Sequence, residues 1–487
     1  MKNSLRYILI ALIIIVTSCS DDFLDEVSKG KLTDSNYWNT EQDALTGIRA
    51  AYHQAAGSWT GYSLWHIVIE DLGVDYGVGG WFAINAYTSY TGWSATTPDF
   101  IDWGIYPQFW NMIEKANTVL DKIPEMDISA TTKNRIIGEA HGLRALGYFT
   151  LINWFGSQPE VTDANDLRFE IPRESLESNY KLIENDLLAA AAALPLKSEL
   201  VAAGETEYGR LTKGAVQSLL VKVFLEQNKW KEAADTALEI IKSKEYELEA
   251  DYLGSFSLNK EGFTNKEDIW SIPFVTGTSP EIPAQILQVY LYKANEINGY
   301  GQYFDWGGNI RATTDFYNSF EQGDLRRKGL FYSNDGATSG IEDPVMLIKH
   351  PADPSSEGVM SGNDYRFIRY ADVILMRAEA LNKLGDISGA IDEINKVRNR
   401  AQLSPLDASK FDSAKLHDQI FNERRWELYF EGHGKRDMKR MKPSMLIDHI
   451  ESVSSDWKTT GAERYLLLPI PARAISSNPV MTQNPGF

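Results

Sequence analysis

Apolar residues recur at spacings of three and four through Asp364–Arg436, and this periodicity predicts the stretch around which the chain is organised. Phe367, Ala371, Ile374, Leu375, Ala378 and Leu381 fall on one face of a helix, which Gly385 stops and after which Asp386 caps the next. The second helix buries Ala390, Ile391, Ile394 and Val397. Small residues at Ala378 and Ala390 let the two helices approach closely, so the unit reads as an antiparallel hairpin. A third helix is expected over Phe411–Glu431, ending at Gly432.

The scheme recurs upstream. Leu211–Ser243 carries Ala215, Leu219 and Val223, turns at Asn228 and Trp230, and continues through Ala233, Ala237, Ile240 and Ile241. A looser copy spans Ile136–Phe155 and Tyr180–Leu194, split by the polar Gly156–Ser175 connection. The spacing Ala378-x2-Leu381-x3-Gly385-x4-Ala390 resembles a tetratricopeptide-type repeat. Hairpins are therefore expected at about 134–194, 211–243, 365–401 and 411–432. About 120 residues separate the second from the third, a break that a solenoid adaptor does not have. The expected fold is mostly α, a scaffold of tetratricopeptide-like hairpins packed against a loop-rich region with a few short strands.

Two stretches lose the helical period. Thr40 and Asp43 form a capping box ahead of Ala44, Ile48, Ala51, Tyr52 and Ala55, and the pattern ends at Gly57. Trp59–Trp110 then holds six of the thirteen tryptophans, with Tyr62, Tyr76, Tyr87 and Tyr90 and a Gly77-Val78-Gly79-Gly80 break. Val74–Asp102 reads as a long loop, and helical order resumes near Pro107. The second stretch, Tyr252–His350, has strand-like pieces at Ile269–Phe274, Ile286–Tyr292 and Val345–Ile348 and a polar, aromatic segment from Tyr300 to Asn309. Long irregular loops in a compact protein are usually functional, so ligand contacts are expected in insertions at about 57–106 and 250–350. After Asp437 the chain reads as mostly loop.

Composition narrows the setting. Of 487 residues, 43% are hydrophobic and 24% charged, ordinary for a globular chain. Lys2 and Arg6 precede an apolar run from Tyr7 to Val16, too short to span a bilayer, and residues 1–18 read as a signal peptide. Val16-Thr17-Ser18-Cys19 resembles a bacterial lipobox with Cys19 as the lipidated residue, and residues 19–487 would form one body. Cys19 is the one cysteine, which excludes an intrachain disulfide. Ser20, Asp21 and Asp22 resemble the acidic tag that exports lipoproteins of Bacteroidetes to the cell surface. The mature chain would be tethered by its lipid rather than embedded. Removing the first eighteen residues takes the formal charge from −19 to −21, the wrong sign for nucleic acid or anionic lipid as the main partner.

An ordered set of motifs completes the picture. It comprises the Cys19 lipobox, Tyr37-Trp38-x-Thr40-Glu41-x-Asp43-Ala44, Glu114-Lys115-Ala116-Asn117 and Glu139-Ala140-x2-Leu143-Arg144-Ala145-x2-Tyr148-Phe149. Arg369-Tyr370-Ala371-Asp372-x3-Met376-Arg377-Ala378-Glu379-Ala380, Glu423-Arg424-x2-Glu427-Leu428-x2-Glu431-Gly432 and Leu468-Pro469-Ile470-Pro471 follow. Together they resemble the SusD/RagB family of outer-membrane nutrient-binding lipoproteins. The resemblance implies glycan capture at the cell surface without cleavage, and delivery to a SusC-like TonB-dependent transporter. A peptide or other nutrient on the same scaffold is an alternative, and a glycoside hydrolase a weaker one.

A glycan platform needs exposed aromatic faces beside planar polar groups. Trp81 with Asn85, and Trp306 with Asn309 and Arg311, have that composition inside the insertions. Tyr90 and Trp93 fit a ligand or a packing role equally, whereas Trp65, Trp103 and Trp110 read as structural. Few basic residues lie in these loops, which points to a neutral poly- or oligosaccharide. Glu70, Asp71 and Asp75 could be read as a glycosidase carboxylate set, and Glu423–Arg436 as an anion site; a structural ion network is the preferred reading of the latter. No zinc-protease, serine-hydrolase or nucleotide-binding motif occurs, and no cofactor or metal site is expected. Asp343–Asp364 has acidic residues enough for an incidental calcium ion but no ligand spacing.

Overall fold

The computed structural model describes residues 37–57, 62–79, 89–90, 93, 104–274, 310–332, 345–350, 362–454 and 457–487. Cys19, Trp81, Asn85, Trp306, Asn309 and the strand expected over Ile286–Tyr292 lie outside them. The first described helix, α1 (Glu41–Ala55), starts at the expected capping box. The Thr40 hydroxyl accepts the Asp43 N–H at 3.2 Å, and the Asp43 carboxylate accepts the Thr40 N–H at 2.8 Å. A π-helical turn (Tyr62–His66) leads into α2 (Ile67–Asp71), then β1 (Gly77–Gly79), α3 (Tyr106–Lys122), α4 (Ala130–Phe155), α5 (Leu176–Ala193) and the short α6 (Lys197–Ala202). The middle of the chain holds α7 (Lys213–Glu226), α8 (Trp230–Ser243), β2 (Asp268–Ile272), β3 (Ile310–Ala312), α9 (Thr314–Ser319), β4 (Leu330–Tyr332) and β5 (Val345–Leu347). It closes with β6 (Tyr365–Arg369), α10 (Tyr370–Lys383), α11 (Ile387–Arg400), α12 (Ser413–Leu428), α13 (Gly434–Met441), α14 (Pro443–Val453), α15 (Trp457–Thr460) and α16 (Ala472–Ser477).

The long helices stack in one series: α1 on α3, α3 on α4, α4 on α5, α5 on α7, α7 on α8, α8 on α10, and α10 on both α11 and α12. The series is continuous in space although residues 244–369 intervene between α8 and α10. The sequence break therefore does not interrupt the scaffold. Close approach depends on small residues. Ala378 and Ala390 are fully buried at the α10–α11 seam, and a Cβ on Gly147 would meet Ile113 of α3 at 2.8 Å. Gly385 ends the α10 region at φ +85°, and Asp386 caps α11 by accepting the Gly389 N–H at 2.9 Å.

Three expectations need correction. Phe367 is not on a helix: Tyr365–Arg369 is extended and pairs antiparallel with Asp268–Ile272, and the helix begins at Tyr370. Val74–Asp102 contains a strand, Gly77–Gly79, within the expected loop. The chain after Asp437 is largely helical, because Pro443 at the first turn and the apolar spacing Leu446–Ile450 favour α14.

A second layer hangs from this scaffold. β2 and β6 form a two-stranded clasp at the base of the 244–369 insertion. A four-stranded antiparallel sheet, in the order β1-β3-β5-β4, joins the two insertions to each other. Beneath it lies a buried ion network. Glu423 and Glu427 lie one turn apart on α12, and Glu431 follows just beyond its end. Arg369 donates to Glu431 at 2.5 and 2.7 Å, to Glu427 at 3.1 Å and to Glu267. Arg400 pairs with Glu267 at 3.1 Å and with Glu427. Arg326 bridges Glu423 at 2.8 Å and Asp324 at 2.7 Å, and Lys349 donates to the Tyr429 carbonyl at 2.9 Å and to Glu431. The Glu423–Glu431 run is thus an internal ion network, as its sequence reading prefers.

Burial pushes the Glu427 carboxyl up, but Arg400, Arg369, Arg326 and Lys349 outweigh it and hold it near 2, against 4.5 in an unfolded chain. Its contribution to stability is complete above pH 4.5 and is lost as pH falls toward 2. Glu427→Gln should lower the urea midpoint at pH 7. The stability gap to wild type should then narrow as pH falls below 4.5. A gap that stays constant from about pH 6 to about pH 3 would contradict an ionised, paired Glu427.

Candidate functional site

The roots of the two insertions meet at the β1·β3 ladder. Its register pairs Gly77 with Ala312, Val78 with Arg311 and Gly79 with Ile310. Below it, the Thr313 N–H donates to the Tyr76 carbonyl at 2.9 Å and the Thr313 hydroxyl to the Asp75 carbonyl at 3.0 Å. Gly77 is required for this approach, because a Cβ there would stand 2.0 Å from the Asp71 carbonyl oxygen. Arg311 is half-buried in the ladder, with Met346 of β5 opposite on its other side.

The three acids once readable as a catalytic set hold the root in place. The Asp71 carboxylate accepts N–H groups from Gly432, His433 and Gly434 at 2.5, 3.3 and 3.0 Å, at the start of α13, together with the Tyr76 hydroxyl. Carboxylates are favoured at helix N-termini. Burial pushes the Asp71 carboxyl up to about 7, against the pull of Tyr76, Gly432 and Gly434. A carboxyl near neutrality suits proton transfer, but this one is fully buried and its oxygens are occupied. Glu70 accepts from Trp154 Nε1 at 2.7 Å and from the Arg436 N–H at 2.9 Å. Asp75 pairs with Arg425, whose guanidinium carbon lies 5.8 Å from the Tyr76 ring and 5.5 Å from Phe316.

Tyr90 and Trp93 are packed, not presented. Tyr90 has no exposed surface, and its hydroxyl donates to the Gly73 carbonyl. Its ring lies 5.1 Å from Trp93 and 5.6 Å from Tyr465, and Lys435 sits 5.0 and 4.8 Å from the Tyr90 and Trp93 rings. Rings used in this way offer no free face, so in the described structure these two residues anchor the loop to the body. Trp65 is buried, and Trp110 is half-buried with ring contacts to Tyr106 and Tyr148. Among the described residues no group of three or more His, Cys, Asp or Glu is placed to hold a metal ion. Sequence reasoning missed the ladder, the Asp75–Arg425 pair and the Asp71 clamp. The signal for the first was the Gly77-Val78-Gly79-Gly80 run, read there only as a break.

Known proteins share this fold. A sequence profile described as "SusD family" matches residues 333–487, and one described as "Starch-binding associating with outer membrane" matches residues 22–225. The two stretches take in well over half of the chain. SusD-like protein P25 of Formosa agariphila is 26% identical over 425 residues, covering 78% of this chain and 78% of its own. A SusD homologue from Bacteroides thetaiotaomicron superimposes with a TM-score of 0.77 at 21% identity, covering 94% of this chain and 99% of that one. A laminarin-binding SusD-like protein gives 0.76 at 22% identity, covering 92% and 100%. At such identities the structural likeness speaks for the fold, and the profiles speak for descent: the chain belongs to the SusD family.

Proposed function

We propose that this protein is a cell-surface lipoprotein that captures a neutral poly- or oligosaccharide and passes it, uncleaved, to a SusC-like TonB-dependent transporter. The observation that carries this reading is the β1·β3 ladder. Trp81 follows Gly79 by two residues and Trp306 precedes Ile310 by four, and Gly79 and Ile310 are partners. Two tryptophans far apart in sequence are thus each a few positions along the chain from one of two residues that pair in one ladder, and each has an asparagine nearby in sequence. That is the composition of a stacking surface for consecutive sugars. The family profile described as starch-binding and outer-membrane-associated supports the same reading, as does the laminarin-binding relative. Against cleavage stands the use of Glu70, Asp71 and Asp75 as internal acceptors.

Trp81→Ala or Trp306→Ala should weaken glycan binding at least tenfold with folding intact, since losing one aromatic stack costs about 1–3 kcal/mol. Gly77→Ala touches neither tryptophan but forces β1 away from Asp71, and it should weaken binding as well. Calorimetry against a polysaccharide panel, with a reducing-sugar assay alongside, reads both. Unchanged affinity in all three variants would move the platform elsewhere, and released reducing ends would favour a hydrolase.

Anchoring and delivery have their own tests. Fatty-acid labelling should be lost in a Cys19→Ser variant, and label retained there would overturn the lipoprotein reading. Mild detergent extraction of outer membranes should co-purify a large β-barrel protein with this chain. Recovery only as a free monomer would count against the transporter partnership.

A further inference from the structure

The connection from α4 to α5 exposes apolar surface that the scaffold does not use. Of the eight large apolar side chains exposed among the described residues, Leu167, Phe169 and Leu176 fall within ten positions of one another at the entry to α5. Leu167 and Phe169 are 83% and 82% exposed. Single apolar residues scattered over a surface are ordinary, whereas a local cluster marks an interaction site.

The chain beneath the pair is pinned to the body. The Asp166 carboxylate accepts the Arg168 backbone N–H at 3.0 Å and its guanidinium at 2.6 and 2.9 Å, which takes up the one charged side chain between them. Asn478 accepts the Ile171 N–H at 3.2 Å and donates to the Ile171 carbonyl at 2.6 Å. Arg173 donates to the Ser157 and Thr482 carbonyls at 2.6 and 3.0 Å and to the Asn484 amide oxygen at 2.8 Å, and the Glu174 N–H donates to the Gln158 carbonyl at 3.0 Å. A segment already held in this way loses little conformational freedom when a partner covers it, so more of the apolar burial appears as affinity.

Charge selects the occupant. Residues 163–177 carry Asp163, Asp166, Glu170, Glu174 and Glu177 against two arginines, both of them engaged within the chain. Anionic lipid attracts lysine and arginine and repels such a rim. A symmetric contact with a second copy would set the same acids against one another. What fits is a different protein, with an apolar pocket edged by lysine or arginine. We propose that Leu167 and Phe169 dock the β-barrel transporter, seated in such a pocket on its extracellular loops; this rests on the transporter partnership proposed above.

Recovery of the barrel with the full chain from mildly solubilised outer membranes tests it. A Leu167→Ser, Phe169→Ser double variant should lower the barrel recovered by about tenfold or more, with the urea midpoint and the glycan affinity unchanged, since truncating a central apolar anchor has effects of that size. Glu170→Lys combined with Glu174→Lys should lower it as well. No barrel with the wild-type chain would overturn the transporter partnership itself, whereas equal recovery with wild type and the double serine variant would overturn the docking surface alone. Three further results would also overturn it. A lowered urea midpoint in the double variant would show that the chain covers the pair itself. Binding of the Cys19→Ser chain to phosphatidylglycerol vesicles, lost with the two serines, would assign the pair to a membrane. Concentration-dependent dimers in sedimentation, lost in the same way, would assign it to a second copy.

Discussion

Among the described residues, the root of the second insertion is tied to the scaffold by a network of buried charge. Arg369 is the central case: it is 1% exposed and touches Glu267, Glu427 and Glu431 at once. Taking such groups out of water is unfavourable by several kcal/mol per ion, and the attraction between them offsets this only when each charge keeps its partners. The network is therefore close to all-or-none. It couples β6 to α12 through Arg369, α11 through Arg400, and the second insertion through Arg326 and Lys349. A hydrophobic seam would resist sliding less well, because apolar contacts are not directional.

This explains how a stacked helical scaffold tolerates more than a hundred inserted residues. The closure entropy of a flexible loop grows slowly with length, by about 0.6 kcal/mol per doubling. What matters is that the ends return to the right place. The β2·β6 clasp fixes both ends of the 244–369 insertion, and the Tyr370 N–H adds a 2.8 Å bond to the Glu267 carbonyl at its base. With its root so closed, α8 packs on α10 as if nothing intervened. The Asp71 clamp does for the first insertion what the clasp does for the second, by tying its root to the start of α13.

Legibility in the sequence follows from range. Ala378, Gly385, Asp386 and Ala390 were readable because caps and periodicity act within a few residues, and their local chemistry is the chemistry the structure uses. Phe367 misled because an apolar residue four before Ala371 satisfies a helical period as well as a strand, and only the pairing of its strand with Asp268–Ile272 across the clasp distinguishes them. The run Glu423–Glu427–Glu431 was visible as charge, but its partner Arg369 lies 58 residues from Glu427, beyond any local rule. Tyr90 and Trp93 show the limit most plainly. Aromatic content reads the same whether a ring faces solvent or fills a core, and here Tyr465 and Lys435, from a distant part of the chain, make the difference.

The division of labour has a consequence for specificity. The ladder that joins the insertions is three residue pairs long, too short to be stable alone. It persists because groups outside it do the holding: Thr313 on the Asp75 and Tyr76 carbonyls, Arg425 on Asp75, and the Asp71 clamp behind. Apart from the Arg425–Asp75 pair these holding groups are backbone-directed, so they place few demands on side chains beyond the ladder. The proposed ligand platform would therefore be free to vary in ligand while the fold stays constant.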